Sequence, residues 1–199
     1  MCNDMRLKAK LDYLIETFRE LKIPLRFPAG LPNIEPRDDI RITDRSPVVR
    51  MDDEGARLDV MRWSWPSPQG KPVFNYRSEG RRFASGRCLV LTDGFYEFTG
   101  DKSPKSKWLF TLKDADLFAI AGYVREGVAD GEPAWTMLTC EPGPDVSPYH
   151  DRQVAVLPPS QWAGWLSHGE NEAELLRPLP AGSLEVRRVE AAPPKKALL

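Results

Sequence analysis

The sequence predicts a single, strand-rich α+β domain, and three observations support this prediction. The chain has 199 residues, of which 41% are hydrophobic, so it can bury roughly 70% of the surface that its unfolded form exposes. Short segments rich in Val, Phe, Tyr, Trp and Thr recur between turn-forming residues, which is typical of strands in a half-buried sheet. Helical patterns occur only towards the two ends of the chain.

The N-terminal segment, residues 5–21, is predicted to form an amphipathic helix. Its apolar residues recur at helical spacing; they are Leu7, Leu11, Leu14, Ile15, Phe18 and Leu21. The next stretch, IPLRFPAGLPNIEPRDD at 23–39, is rich in Pro and Gly, which interrupt helices. We therefore expect a long ordered loop there.

The middle of the chain is expected to form most of the sheet. The predicted strands are SPVVRM (46–51), ARLDVMRW (56–63), KPVFNY (71–76), RCLVLT (87–92), FYEF (95–98), KWLFTL (107–112), LFAIAGYV (117–124), AWTMLTC (134–140) and QVAVL (153–157). Beyond them, PPSQWAGWL at 158–166 predicts a short helix that begins at proline. NEAELLRPL at 171–179 predicts another short helix, and SLEVRRVE at 183–190 a last strand. The domain is expected to span residues 1–190, followed by a poorly ordered tail at 191–199.

The composition limits the possible classes of partner and compartment. Lys+Arg 28 and Asp+Glu 29 give a net charge of -1, so any anion-binding site must be local. Three cysteines without a close-spaced pair favour a reducing compartment. The charged N-terminus lacks the apolar core of a secretory signal, and no apolar run approaches the ~20 residues that span a bilayer. We therefore expect a soluble cytoplasmic protein with no membrane contact, associated with the nucleoid if it is bacterial.

The first two residues, Met1 and Cys2, raise a question of chemistry. Initiator Met is usually removed when the second residue is small, and Cys is small enough. The mature chain would then begin with a free α-amine beside a thiol, which is a 1,2-aminothiol. If Met1 stays, Cys2 is an ordinary peptide-linked residue.

Titratable and amide side chains inside otherwise apolar segments are further candidates, because burial changes a pKa. Glu97 lies within FYEF, His150 precedes the strand QVAVL, and Asn75 and Arg77 share one face of a strand. Each also has an ordinary structural interpretation, in which Glu97 faces solvent, His150 caps a strand and Asn75 satisfies a turn.

Metal and nucleotide cofactors are not expected. Cys2, Cys140 and His150 are scattered without the spacing of a zinc site. No glycine-rich loop precedes a helix in the form that a phosphate cradle needs. A site in this chain would therefore be built from side chains alone.

Four segments, in this order, resemble the SOS response-associated peptidase (SRAP) family, whose domain shields abasic sites in DNA. They are Met1-Cys2, MRWSWP (61–66) followed by FNYRSE (74–79), GRCLVLTDGFYEF (86–98) and YHDRQVAVL (149–157). The resemblance covers residues 1 to about 166. It implies a curved, barrel-like, mostly antiparallel sheet with an N-terminal helix and short C-terminal helices.

The resemblance also implies roles for individual residues. Cys2, freed by loss of Met1, resembles the nucleophile that joins covalently to the ring-opened aldehyde of an abasic site in single-stranded DNA. Asn75 matches the asparagine that positions this group, Glu97 the acid/base residue, and His150 the histidine of the family site. The implied partner is single-stranded DNA that contains abasic sites, bound by a monomer.

DNA contacts follow from the same resemblance and from the chain's own basic and aromatic residues. Arg77 and Arg152 match DNA-contacting positions, and Trp63 or Trp65 is expected to stack on a base. Arg81, Arg82 and Arg87 are further basic candidates. A solvated charge on a loop is the alternative interpretation for these arginines.

The chain departs from the family pattern beside Cys2. Members commonly carry Gly and Arg next, whereas Asn3 and Asp4 stand here, so an amide and an anion replace a small residue and a cation. Residues 75–77 read Asn-Tyr-Arg, where Asn-Ala-Arg is usual. Because these differences lie close to the expected nucleophile, they are expected to affect the affinity for DNA there.

Two other functions are compatible with the same residues. One is a cysteine peptidase acting on its own N-terminus, with Cys2 as nucleophile and His150 or Glu97 as base. The other is a non-catalytic module that binds single-stranded DNA or a protein partner reversibly and in a salt-sensitive manner.

Overall fold

The computed structural model describes residues 2–168 and 171–189, and the predicted tail at 191–199 lies outside them. The strands are β1 (Asp4–Leu7), β2 (Arg37–Arg41), β3 (Arg45–Asp52), β4 (Gly55–Trp63), β5 (Trp65–Pro66), β6 (Pro72–Val73), β7 (Asn75–Arg77), β8 (Arg87–Thr92), β9 (Gly94–Thr99), β10 (Ser106–Leu112), β11 (Phe118–Ala129), β12 (Glu132–Cys140), β13 (Gln153–Val154), β14 (Val156–Leu157) and β15 (Leu184–Val189). The helices are α1 (Leu11–Glu20), α2 (Trp162–Ser167) and α3 (Glu172–Leu175). None of these helices is long and apolar enough to cross a membrane.

Five strands close into a barrel. β3 pairs with β4 and β8, β8 pairs with β11, β11 pairs with β12, and β12 returns to β4. The pairing of β12 with β4, in which Ala134 lies opposite Arg62, is parallel, and the other four pairings are antiparallel. Closure leaves no free sheet edge in this ring. The expected curved, barrel-like, mostly antiparallel sheet is therefore confirmed.

Helix α2 covers one wall of the barrel. Every residue of β8 is buried, as expected for a strand with the barrel interior on one face and a helix on the other. Trp162 and Trp165 point inward and are fully buried, and the Trp165 ring nitrogen donates to the carbonyl of Cys88 at 2.9 Å. The predicted helix with two inward tryptophans is confirmed.

A second sheet of five strands has the order β15-β10-β9-β1-β2. The N-terminal strand β1 is therefore an interior strand, antiparallel to both β9 and β2. Because Met5 lies opposite Phe95, the residues that precede β1 come next to the C-terminal half of β9. This pairing positions Cys2.

The prediction of a helix over residues 5–21 is wrong at its start, where the chain forms strand β1 and a short connection. Met5 and Leu7 alternate into the core. Arg6 extends from the strand to form an ion pair with Asp93 at 2.5 Å, and the same carboxylate accepts the backbone N–H of Lys8. These long-range bonds favour the extended conformation, and α1 begins only at Leu11.

Candidate active site

Cys2 lies two residues before β1, at the end of an interior strand of the second sheet. The residue is only 1% exposed. Its backbone carbonyl accepts a hydrogen bond from Asn75 Nδ2 at 2.7 Å, and its thiol donates to the carbonyl of Asp4 at 3.3 Å. Both the main chain and the side chain of Cys2 therefore have a defined position.

Glu97 lies on β9, and its carboxylate accepts a hydrogen bond from the backbone N–H of Cys2. Glu97 is 1% exposed, and burial raises its pKa from 4.5 to about 7. The negative charge of Asp151 also raises the pKa, whereas the hydrogen bond from Cys2 opposes the rise. Because its pKa is near 7, Glu97 can take up and release a proton at neutral pH.

The Cys2 thiol is held in its protonated form. Burial raises its pKa above the ordinary value, and the charge of Glu97 raises it further. Only the thiolate is strongly nucleophilic, so reaction at Cys2 requires a base close to the sulfur. Glu97, whose charge acts on the thiol, is the candidate for that base.

Asn75 and Arg77 belong to β7, which runs parallel to β12 with Asn75 opposite Met137. Alternation along the strand puts both side chains on one face. While Asn75 Nδ2 holds Cys2, its Oδ1 is buried and has no hydrogen-bond partner among residues 2–168 and 171–189. Arg77 is exposed. The face therefore offers an unused acceptor on Asn75, which contacts Cys2, and an exposed cation two residues further along β7.

His150 follows the turn at 143–149, and its backbone N–H donates to the carbonyl of Val146 at 3.0 Å. Its Nδ1 lies 3.0 Å from the backbone nitrogen of Arg152 and 2.8 Å from the Asp151 carboxylate. Nδ1 must be unprotonated to accept a hydrogen bond from the Arg152 N–H. It must be protonated to donate one to the Asp151 carboxylate. Partial burial lowers the pKa of His150, which favours the neutral ring that accepts from Arg152.

Arg152, expected to contact DNA, is already engaged within the protein. Its guanidinium forms a two-point ion pair with Glu79 at 2.5 and 2.9 Å and donates to the Thr139 carbonyl at 3.0 Å. Arg82, in contrast, is exposed, and no ion pair with another described residue is recorded for it. Arg82 is therefore the more accessible of these two cations.

The tryptophans expected to stack on a base are buried. Trp63 is 0% exposed and Trp65 is 4% exposed. Trp63 stacks on Trp135 with 5.2 Å between ring centroids and donates to the carbonyl of Phe74 at 2.9 Å. Neither ring presents a face to a ligand in this structure, so the expected stacking does not fit their positions.

Arg87, one of the further basic candidates for DNA contact, is also buried, and it pairs with Glu172.

A cluster that the sequence did not suggest lies next to Cys2. Lys107 Nζ contacts Asp4 at 2.7 Å and Asp39 at 2.5 Å, and it lies 3.7 Å from the Tyr96 ring centroid. Burial raises the pKa of Asp4 to about 6, although Lys107 opposes the rise. The cluster lines a cleft of about 720 Å³ that also includes Asn3. Only the tertiary fold brings these distant charges together, so no local sequence signal could have indicated them.

No group of three or more metal-ligating side chains occurs in the part of the chain that the structure describes. Cys2, Cys88 and Cys140 are all free and buried. Cys2, Glu97, His150 and Asn75 contribute a thiol, a carboxyl group with a pKa near 7, an imidazole and an amide.

Comparison with known proteins identifies a matching family and several relatives. A family model described as SOS response associated peptidase (SRAP) matches residues 1–192. Relatives include the abasic site processing proteins YoqW and YoaM of Bacillus subtilis, 26% and 27% identical over 96% of this chain and 93% and 92% of their own lengths.

Solved structures with a similar fold cover nearly the whole chain. A phage-related protein from Bordetella bronchiseptica has a TM-score of 0.72 at 23% identity and covers 96% of this chain and 95% of its own. A protein from Bacteroides thetaiotaomicron has a TM-score of 0.71 at 17% identity, over 95% and 92% of the two chains. At these identities the likeness establishes the fold alone.

Proposed function

The chain belongs to the SOS response associated peptidase family, and from this premise we propose that it processes abasic sites in single-stranded DNA by a covalent bond through Cys2. The printed names of its Bacillus subtilis relatives, abasic site processing proteins, support the class of substrate. The bond would form at the nitrogen and sulfur of Cys2 after Met1 is removed.

The observation that carries this proposal is the pair of hydrogen bonds on the Cys2 main chain. Glu97 accepts from the Cys2 nitrogen, and Asn75 donates to the Cys2 carbonyl at 2.7 Å. Removal of Met1 turns that nitrogen into the α-amine. The amine would thus be formed beside a carboxyl group that can exchange its proton near pH 7.

The proposed chemistry has two steps and releases one water. An α-amine has a pKa of about 7.7–8.0, so a useful fraction is neutral near pH 7 and attacks the aldehyde of the ring-opened sugar. Loss of water gives an imine. The Cys2 thiol then adds to the imine carbon, its proton passes to the nitrogen, and a five-membered thiazolidine ring closes.

Glu97 and His150 would move the protons in these steps. The raised pKa of Glu97 suits it to take the amine or thiol proton and return it to the leaving water, a role typically worth ~10²–10⁴-fold in rate. The free Oδ1 of Asn75 would accept from a sugar hydroxyl. Arg77 and Arg82 are the proposed phosphate contacts, and Arg152 would act by positioning His150.

The test mixes purified protein with a single-stranded oligonucleotide that holds one abasic site, followed by denaturing gels and intact-mass measurement. We expect a heat-stable adduct whose mass is that of the chain without Met1 plus the DNA minus one water. Cys2→Ala should form no adduct. Cys140→Ala is the matched control, because Cys140 is also a free, buried thiol, and it should react like the wild type.

Two outcomes would refute this function. An adduct that survives chemical blocking of the α-amine would mean that the thiol reacts alone and that neither the imine nor the thiazolidine forms. A free Cys2 without any adduct, combined with reversible and salt-sensitive DNA binding, would indicate a non-catalytic binding module.

A further inference from the structure

Glu97 has a different neighbour on each side within the second sheet, where β9 lies between β1 and β10. On the β1 side, the backbone N–H of Cys2 donates to its carboxylate. On the β10 side, Trp108 lies directly opposite Glu97 in the antiparallel register. Residues paired in this way point to the same face, with their Cβ atoms about 4.5–5.5 Å apart. The Trp108 side chain is therefore a direct neighbour of the Glu97 carboxyl group.

A hydrogen bond and a ring contact fix the orientation of Trp108. Its ring nitrogen donates to Thr99 Oγ1 at 2.8 Å, and Thr99 follows Glu97 by two residues on β9, so both point to the same face. The Tyr149 ring lies 4.8 Å from the Trp108 ring, measured between centroids. Both rings are only partly buried. Two contacts thus hold a half-exposed ring in one orientation beside Glu97.

Tyr149 connects the same ring to His150. The Tyr149 ring also packs edge-on against Phe110, with 5.3 Å between centroids, and Phe110 lies two residues after Trp108 on β10. Tyr149 is therefore anchored to this face of the second sheet, and His150 follows it directly in the chain. One aromatic pair thus supports Glu97 across the strand pair and His150 through its chain neighbour.

The charged groups that act on Glu97 come from elements other than β10. Burial raises its pKa, the charge of Asp151 raises it further, and the hydrogen bond from Cys2 lowers it. Lys107, next to Trp108 on β10, points to the opposite face of the sheet, where its ammonium group pairs with Asp4 at 2.7 Å. From β10, Glu97 therefore meets an aromatic surface and no charge.

We propose that Trp108 is a positioning residue of the site: its ring, braced by Tyr149, keeps water away from one side of Glu97 and directs the carboxyl group towards Cys2. This inference rests on the proposed function, in which Glu97 moves protons at Cys2. Water stabilises the charged carboxylate, so its exclusion favours the neutral acid. A carboxyl group that gives and takes a proton near neutral pH requires this balance. Trp108 acts through Glu97 and needs no contact with the substrate.

The first test titrates Glu97 in the free protein by NMR of the side-chain carboxyl carbons, with Glu97→Gln identifying its signal. The wild type should titrate with a pKa of about 7. Trp108→Ala admits water and should lower the midpoint by about one pH unit. Trp108→Phe keeps an aromatic ring and should titrate close to the wild type. Tyr149→Ala should also lower the midpoint, because the Trp108 ring loses its brace.

Tyr123→Ala is the matched control, because it removes another partly buried ring. The ring contacts of Tyr123 are with Trp65, Tyr76 and Phe83. This variant should unfold at a lower temperature than the wild type and leave the Glu97 midpoint unchanged. A wild-type midpoint in folded Trp108→Ala, or an equal shift in Tyr123→Ala, would overturn the proposal.

Unfolding temperatures identify any variant that fails to fold. If Trp108→Ala is one of them, Tyr149→Ala and Thr99→Val provide the same test, because each removes one of the two contacts that hold the ring. Wild-type midpoints in both of these variants would then overturn the proposal.

The rate of adduct formation with the abasic oligonucleotide at pH 7 separates this proposal from the proposed function. Trp108→Ala should slow the reaction about 10-fold, at the lower end of the ~10²–10⁴-fold contribution of an acid/base group, and Trp108→Phe should recover most of the rate. If the wild type forms the adduct and folded Trp108→Ala matches it in rate and midpoint, only the positioning role is refuted. If Trp108→Ala lowers the midpoint while no protein forms an adduct, only the crosslinking function is refuted.

Discussion

Glu97→Gln is expected to stabilise the protein at neutral and alkaline pH while removing its proposed acid/base group. Glutamine keeps the shape of the side chain and an oxygen that can accept from the Cys2 nitrogen, but it never carries a charge. The buried Glu97 carboxyl has a pKa of about 7 instead of 4.5. Between these two values the folded chain holds a proton that the unfolded chain has released, so the wild type loses stability as the pH rises.

The size of the effect follows from this difference in pKa. One pKa unit corresponds to 1.36 kcal/mol, so the wild type should lose about 3 kcal/mol between pH 4.5 and pH 7 through this group. The Glu97→Gln variant should keep this stability, because glutamine does not titrate. The variant should therefore match the wild type near pH 4 and exceed it by up to about 3 kcal/mol at pH 8, or by roughly 6–12 °C in unfolding temperature.

Urea unfolding of both proteins across this pH range measures the effect. Glu185→Gln is the control, because Glu185 is an exposed carboxyl on β15 and its replacement should leave the pH dependence unchanged. A constant difference between Glu97→Gln and the wild type at all pH values would refute the reasoning, since it would mean that Glu97 titrates equally in the folded and unfolded chains.

Further predictions concern the residues around Cys2. Asn75→Ala removes the 2.7 Å hydrogen bond to the Cys2 carbonyl and should slow adduct formation at least about 5-fold, the equivalent of ~1 kcal/mol; an unchanged rate in a gel time course would contradict this positioning role. Cys2→Ser keeps the α-amine but lacks the thiol, so it should give an adduct with abasic DNA only after borohydride reduction; a heat-stable adduct without reduction would show that the thiol is not needed. Glu79→Ala leaves Arg152 without its two-point partner and, because Glu79 is itself exposed, should cost about 0.5–1 kcal/mol in urea unfolding; a wild-type midpoint would mean that solvent replaces the pair.

The strands were largely predictable because their patterns are local. Alternating or continuous apolar runs between turn formers located β3, β4 and β8 to β12 within a few residues of their observed bounds. The first turn of the predicted N-terminal helix was wrong, because Leu7 fits both the helical spacing with Leu11 and the strand alternation with Met5. Asp93, some 90 positions away, decides between the two by binding Arg6 and Lys8.

The site was less predictable than the fold, because its properties depend on distant residues. Asn75 and Glu97 were chosen from the sequence, and the fold brings both onto the Cys2 main chain. The accessibility of the DNA-contact candidates could not be inferred. Trp63 is covered by Trp135, and Arg152 is held by Glu79, and neither partner is adjacent in sequence.

The interior position of β1 has a consequence for the timing of maturation. Met5 pairs with Phe95, so the first strand has no partner on that side until about 90 further residues have been synthesised, which takes roughly 5–20 s at ribosomal rates. That interval is when an aminopeptidase would have access to the N-terminus, as the proposed function requires. Once β1 has docked, Cys2 is 1% exposed. A chain that folds with Met1 still attached is therefore expected to keep it, so the fraction of reactive protein would be decided during translation.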